Sequence, residues 1–134
     1  MPSQVTVNRL DHIVLTVSNV DVTCEFYQRV LGMEKVEFGS PVRVALEFGQ
    51  QKINLHPIIN DYDTKANTPM PGSADICLIT EVPLAGVIDH LNTCGVDIIA
   101  GPVPKNGAMG PLNSVYFRDP DGNLIEVSNY LSAD

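Results

Sequence analysis

The stretch Ser114–Val127, SVYFRDPDGNLIEV, decides the fold. Asn113–Phe117 and Leu124–Tyr130 are short runs rich in β-branched and aromatic residues, and they read as strands. Arg118–Asn123 joins them, with Pro120 and Gly122 at sensible places for a chain reversal. Its two aspartates do not make a calcium loop, because the twelve-residue ligand pattern is missing. Glu126 then lies between Ile125 and Val127 in a strand that reads as buried. A carboxylate there is costly unless it is paired, metal-bound or turned outward.

Working outward, the same order of elements occurs twice. Leu10–Val17, LDHIVLTV, reads as a strand. Ser18–Asp21 supplies N-cap residues, Cys24, Tyr27 and Leu31 recur at helical spacing, and Gly32 ends the helix. Strands follow near Lys35–Phe38, Val42–Phe48 and Lys52–His56, with Gly39-Ser40 and Gly49-Gln50 as turns. Asn60–Gly72 is polar and reads as a linker or surface loop. In the second half, Ala74–Thr80 is a strand, and Pro83–Cys94 is a helix with Pro83 in its first turn and Gly95 after it. Val96–Ile99 is a strand, and Gly101–Leu112, with three glycines and three prolines, is a loop. Within it Pro102–Pro111 reads either as a flap over the cavity, with Lys105 supplying a cation for an anionic substrate, or as an ordinary exposed loop.

The chain is thus βαβββ written twice: module one about 8–58, linker about 59–72, module two about 73–131, within a single 1–134 domain. The expected class is α+β, two tandem modules forming a curved mixed sheet around one cavity. An offset of 63 carries His12 to Asp75 and Gly32 to Gly95, and an offset of 72 carries Asn54 to Glu126. Each half alone is too small to close a core. Strand alternation and pseudo-symmetry place His12 and Asp75 from the first strands, and Asn54, His56 and Glu126 from the last, in that cavity. Imidazole and carboxylate together suit Zn, Ni, Mn or Fe(II). For His12 the plain structural alternative is a satisfied core histidine, and for His56, which precedes Pro57, a strand end. Asp75 is a ligand, an acceptor for His12 or a turn-facing charge, and Asn54 reads as a hydrogen-bonding pocket residue. Tyr116 either offers its phenol to the pocket or packs in the core.

Of the 134 residues, 44% are apolar, enough for a real core. Eight basic against sixteen acidic side chains give a net charge of −8 and a pI near 4.6. That balance argues against nucleic acid or an anionic membrane as the main partner. Cys24, Cys77 and Cys94 form no CxxC motif and read as small buried residues in a reducing compartment. No secretory signal and no bilayer-length apolar run are visible, so the expected setting is cytoplasmic.

LDHIVLTV, FYQRVLG, FGQQKINLHP, GSADICLIT and SVYFRDPDGNLIEV resemble the vicinal oxygen chelate superfamily, the glyoxalase/bleomycin-resistance/dioxygenase fold, over about Leu10–Tyr130. The resemblance implies paired βαβββ modules, one divalent metal and often a homodimer. It places His12 at the first-strand ligand and Glu126 at the last-strand ligand. Where the family commonly has His, Asp75 stands, and where glyoxalases have Glu, Asn54 stands with His56 two residues on. A set of His12, His56 and Glu126 would supply two imidazoles and a carboxylate. The implied function is a metal-dependent lyase, isomerase or dioxygenase acting on vicinal oxygens of a small substrate, with Glu126 and Asp75 in catalysis and Asn54, Lys105 and Tyr116 on the substrate. The alternative is a metal-free small-molecule binder of the bleomycin-resistance type.

Overall fold

A computed structural model describes residues 3–131. Module one runs β1 (His12–Val17), α1 (Val20–Leu31), β2 (Glu34–Phe38), β3 (Arg43–Phe48) and β4 (Gln51–Pro57). Module two runs β5 (Asp75–Ile79), α2 (Leu84–Thr93), β6 (Ala100–Gly107), β7 (Gly110–Arg118) and β8 (Leu124–Tyr130). Each forms a four-stranded mixed sheet, in the orders β1-β4-β3-β2 and β5-β8-β7-β6, as expected for an α+β duplication. The first strand of each sheet lies parallel to the last, with Val14 opposite Asn54 and Cys77 opposite Glu126. The offsets of 63 and 72 therefore map one ladder onto the other.

Local chemistry sets the helix ends. The Asn19 side chain accepts from the Val22 N–H at 3.0 Å, and Gly32 takes the left-handed conformation, φ 66°, that closes α1. Pro83 stands at the N-cap of α2, one position earlier than expected.

Two expectations fail in module two. Val96–Ile99 is not a strand, and Gly101–Leu112 is not a loop: it belongs to a β6–β7 hairpin turning at Ala108-Met109. Prolines misled the reading. Pro102 and Pro104 lie on β6, an edge strand, where a missing N–H costs little. The register shifts between Ala100 and Val103, where Gly101, at φ 102°, abuts the Ser114 carbonyl too closely to admit a side chain.

Both helices and one face of each sheet share a single core. Leu15, Val17, Ile53 and Leu55 from module one join Val115, Phe117, Ile125 and Val127 from module two, with Tyr27 and Leu91 from the helices. Cys24 is buried as expected, but Cys77 is exposed and Cys94 half-buried.

A polar knot ties the halves together beside this core. The Tyr27 hydroxyl donates to Asp119 Oδ2 at 2.6 Å, and Asn123 Nδ2 donates to the same oxygen at 2.7 Å. The N–H groups of Asp121 and Asn123 donate to Asp119 Oδ1 at 2.9 and 3.0 Å. Asn123 Oδ1 accepts from Ala74 N at 2.9 Å, and the Asp121 carboxylate accepts from Ser18 N. Burial and the Asp119 carboxylate push the Tyr27 phenol far above its ordinary pKa, so it remains a donor. Tyr27→Phe keeps the ring and removes the donor. It is expected to cost about 1–2 kcal/mol of unfolding free energy in urea melts, with an unchanged denaturant slope.

Candidate functional site

Strand alternation sends the remaining face of each sheet away from the shared core. On module one that face carries His12, Val14 and Thr16 from β1, and Lys52, Asn54 and His56 from β4. On module two it carries Asp75, Cys77 and Ile79 from β5, and Glu126 and Ser128 from β8, with Ser114 and Tyr116 from β7. All five candidates read from the first and last strands stand on these open faces, divided between the two sheets.

The expected gathering is not present within one chain. His12 and His56 lie on one sheet and Glu126 and Asp75 on the other. Among the described residues, no group of three or more His, Cys, Asp or Glu side chains is placed to hold a metal ion.

His12 is 43% exposed at its side chain, and its Nδ1 lies 2.8 Å from Asp11 Oδ2. That contact holds the Asp11 carboxyl below its usual range. Asn54 is only 9% exposed, and among the described residues its Oδ1 has no hydrogen-bond partner. A buried acceptor left this way costs about 1–3 kcal/mol unless a ligand supplies a donor or a cation.

His56 is 6% exposed, and the linker holds it. Its ring centroid is 4.4 Å from that of Tyr62, and the Arg43 guanidinium lies 4.3 Å from the same Tyr62 ring. Asn60 fastens this segment: its Nδ2 donates to Pro57 O, and its Oδ1 accepts from Tyr62 N and Lys65 Nζ. A small cavity of about 160 Å³ beside His56 is lined by Thr16, Thr64, Lys65, Ser73 and Asn123 among others. Burial, then Arg43 and Lys65, lower the His56 pKa below 6.5.

Module two gathers a tighter set. Ser114 Oγ donates to Glu126 Oε2 at 2.7 Å, Ser128 Oγ lies 3.3 Å from the same oxygen, and the two hydroxyls are 2.6 Å apart. Cys77 Sγ lies 3.4 Å from Ser128 Oγ, and although the residue as a whole is exposed, partial desolvation of the sulfur raises its thiol pKa above the usual value. Tyr116 stands opposite Glu126 in the ladder. Burial, then that carboxylate, push its phenol up to about 12, so it stays a donor at neutral pH. Lys105 Nζ lies 5.6 Å from the Tyr116 ring centroid. A larger cleft, about 760 Å³, opens between the end of α1, β5 and α2, but of this set it touches only Cys77.

Ser114, Ser128 and Cys77 were missed in the sequence although alternation from Glu126 and Asp75 points to them. No sequence signal marks Tyr62, which reaches His56 from an irregular linker.

The glyoxalase family model, described as the Glyoxalase/Bleomycin resistance protein/Dioxygenase superfamily, matches residues 9–127. The chain belongs to this superfamily. Virulence protein STM3117 of Salmonella typhimurium is 48% identical over 96% of the chain and 88% of its own length. Its crystal structure superposes with a TM-score of 0.92 over 95% of the chain and 100% of the other. Glyoxalase domain-containing protein RDO1 of Mycosarcoma maydis is 48% identical over 97% of the chain and 73% of its own length. Metallothiol transferase FosB of Shouchella clausii is 30% identical over 90% of the chain and 80% of its own length. No described helix of this superfamily member is long and apolar enough to cross a membrane.

The lowered His56 pKa has a definite sign. The unfolded chain binds this proton more tightly, so stability is fully present above pH 6.5 and falls as pH drops through the folded pKa. Urea unfolding at stepped pH from about 7.5 to 5 should show this loss, and His56→Gln should flatten it. A slope identical in the variant would remove the assignment.

Proposed function

We propose that this chain is a metal-dependent glyoxalase-like enzyme whose sites are completed by a second copy of itself. One observation carries the reading. Equivalent donor positions, His12 with Asn54 and Asp75 with Glu126, lie on open faces of separate sheets, and each sheet leaves its first strand as an unpaired edge. Among the described residues one chain gathers no donor set for a metal ion, but the opposed faces of two chains would supply imidazole and carboxylate donors of the right chemistry.

In a two-fold pair, the β1–β4 face of one copy meets the β5–β8 face of the other, and the contact repeats. His12 and Glu126 would hold the ion, with Asp75 and the unpartnered Asn54 Oδ1 as further oxygens. His56 is left to the linker, since it already stacks on Tyr62. A bound divalent cation would supply Lewis acidity for vicinal oxygens of a small substrate. Ser114 and Ser128 both engage Glu126 Oε2, which orients the carboxylate and leaves Oε1 for a ligand. Tyr116, kept protonated, donates to a substrate oxygen, and Asp75 takes or returns a substrate proton. The relative named a metallothiol transferase supports the metal, and the relative named a glyoxalase domain-containing protein supports the reaction class.

Purified protein is expected to be dimeric by light scattering and to carry about one divalent ion per chain, lost in His12→Ala and in Glu126→Ala. Refolding those two variants together should recover about a quarter of the wild-type metal, because half the pairs are mixed and each mixed pair has one intact site. Metal in the wild type without recovery in the mixture would rule out sites shared between copies. No metal on the wild type between about pH 6 and 8, where imidazole becomes neutral, would make the protein a metal-free small-molecule binder.

A further inference from the structure

The linker and the end of the first sheet border a pocket that none of the proposed metal donors lines. Its volume is about 160 Å³, and its wall includes Thr16, His56, Thr64, Lys65 and Ser73. Pockets for drug-sized ligands run to roughly 300–1,000 Å³, so this one suits a small polar group. The chain carries sixteen acidic side chains, yet none of them lines the pocket.

His56 sets the pocket apart. Of the three histidines, His12 Nδ1 meets Asp11 at 2.8 Å and His90 Nε2 meets the Val30 carbonyl at 3.0 Å. His56 is the most buried of them, at 6% exposed. Its ring nitrogens make no hydrogen bond among the described residues. Tyr62 covers the ring with centroids 4.4 Å apart, and Arg43 backs Tyr62 at 4.3 Å, so the imidazole is fixed against the pocket. A polar ring buried and fixed in this way is costly unless a bound group meets it.

The other polar groups converge on the same space. Thr16 stands directly opposite His56 in the β1–β4 ladder and lines the same pocket. Asn60 Oδ1 accepts from Lys65 Nζ at 3.2 Å, which anchors the ammonium beside the pocket and leaves its other N–H groups to donate. The charged groups that act on the His56 ring are Arg43 and Lys65, both cationic.

We propose that this pocket binds a small oxyanion, a carboxylate or a phosphoryl group, through the Lys65 ammonium, the Thr16 hydroxyl and a ring N–H of His56. The imidazole presents such an N–H even when uncharged. Thr16 lies on the same open face as His12, about 13 Å along β1 at roughly 3.3 Å per residue. The bound group is then the anionic end of the substrate, remote from the reacting oxygens. Only that last assignment rests on the metal-dependent reading; the pocket itself is complete on one chain.

The test is calorimetric titration of the metal-stripped full chain at low ionic strength with inorganic phosphate and, separately, with acetate, followed in parallel by the imidazole proton resonances. Saturable, salt-weakened binding is expected, and the anion that binds more tightly identifies the group. The His56 resonance should move along the same isotherm, while that of His90, bonded to Val30, stays in place. Lys65→Gln and Thr16→Val should each weaken binding about tenfold, and Lys65→Arg should retain it. Lys52→Gln, on the same face but opposite His12 and outside the pocket, should bind like the wild type. No saturation with either anion, a His56 resonance that does not follow the isotherm, or wild-type affinity in both Lys65→Gln and Thr16→Val would overturn the proposal. The titration uses stripped protein, so failure of the metal reading leaves its result standing, and loss of anion binding leaves the metal result standing.

Discussion

A single buried carboxylate holds the architecture in register. Asp119 is 6% exposed, and a bare charge there would be costly. Four donors meet it: the Tyr27 hydroxyl from module one, and Asn123 Nδ2 and the N–H groups of Asp121 and Asn123 from its own turn. The first bond crosses between modules, and the other three fix the β7–β8 turn. Turn geometry fixes register, and a slip of one residue would send Glu126 into the core and Ile125 to the open face. The acidic turn beside the hydrophobic strands is thus what points Glu126 away from the core.

Duplication with divergence gives the two open faces different chemistry. Equivalent ladder positions hold His12 and Asp75, Asn54 and Glu126, and His56 and Ser128. Module one presents imidazole, amide, lysine and arginine. Module two presents carboxylates, hydroxyls and a thiol around one lysine. The same asymmetry explains why superfamily membership leaves the reaction open: the scaffold supplies positions, and substitutions at those positions choose the chemistry.

Much was legible in the residue pattern. Period-two runs, Asn19 and Gly32 at the ends of α1, and the offsets of 63 and 72 give the order βαβββ twice and the parity of each candidate. Those signals are local, so one chain read alone carries them. The β6–β7 hairpin was hidden because Pro102 and Pro104 signal a break, and only the neighbours of a strand reveal that it is an edge.

The sequence by itself determined which side chains share a face, because alternation along a strand is covalent geometry. Only the tertiary structure decided which faces meet. It put both helices and the inner faces into one core, turned His12 and Glu126 outward on separate sheets, and set His56 against Tyr62. Those choices depend on contacts between residues far apart in the chain, such as Tyr27 with Asp119, whose energy has no signature in the spacing of either residue.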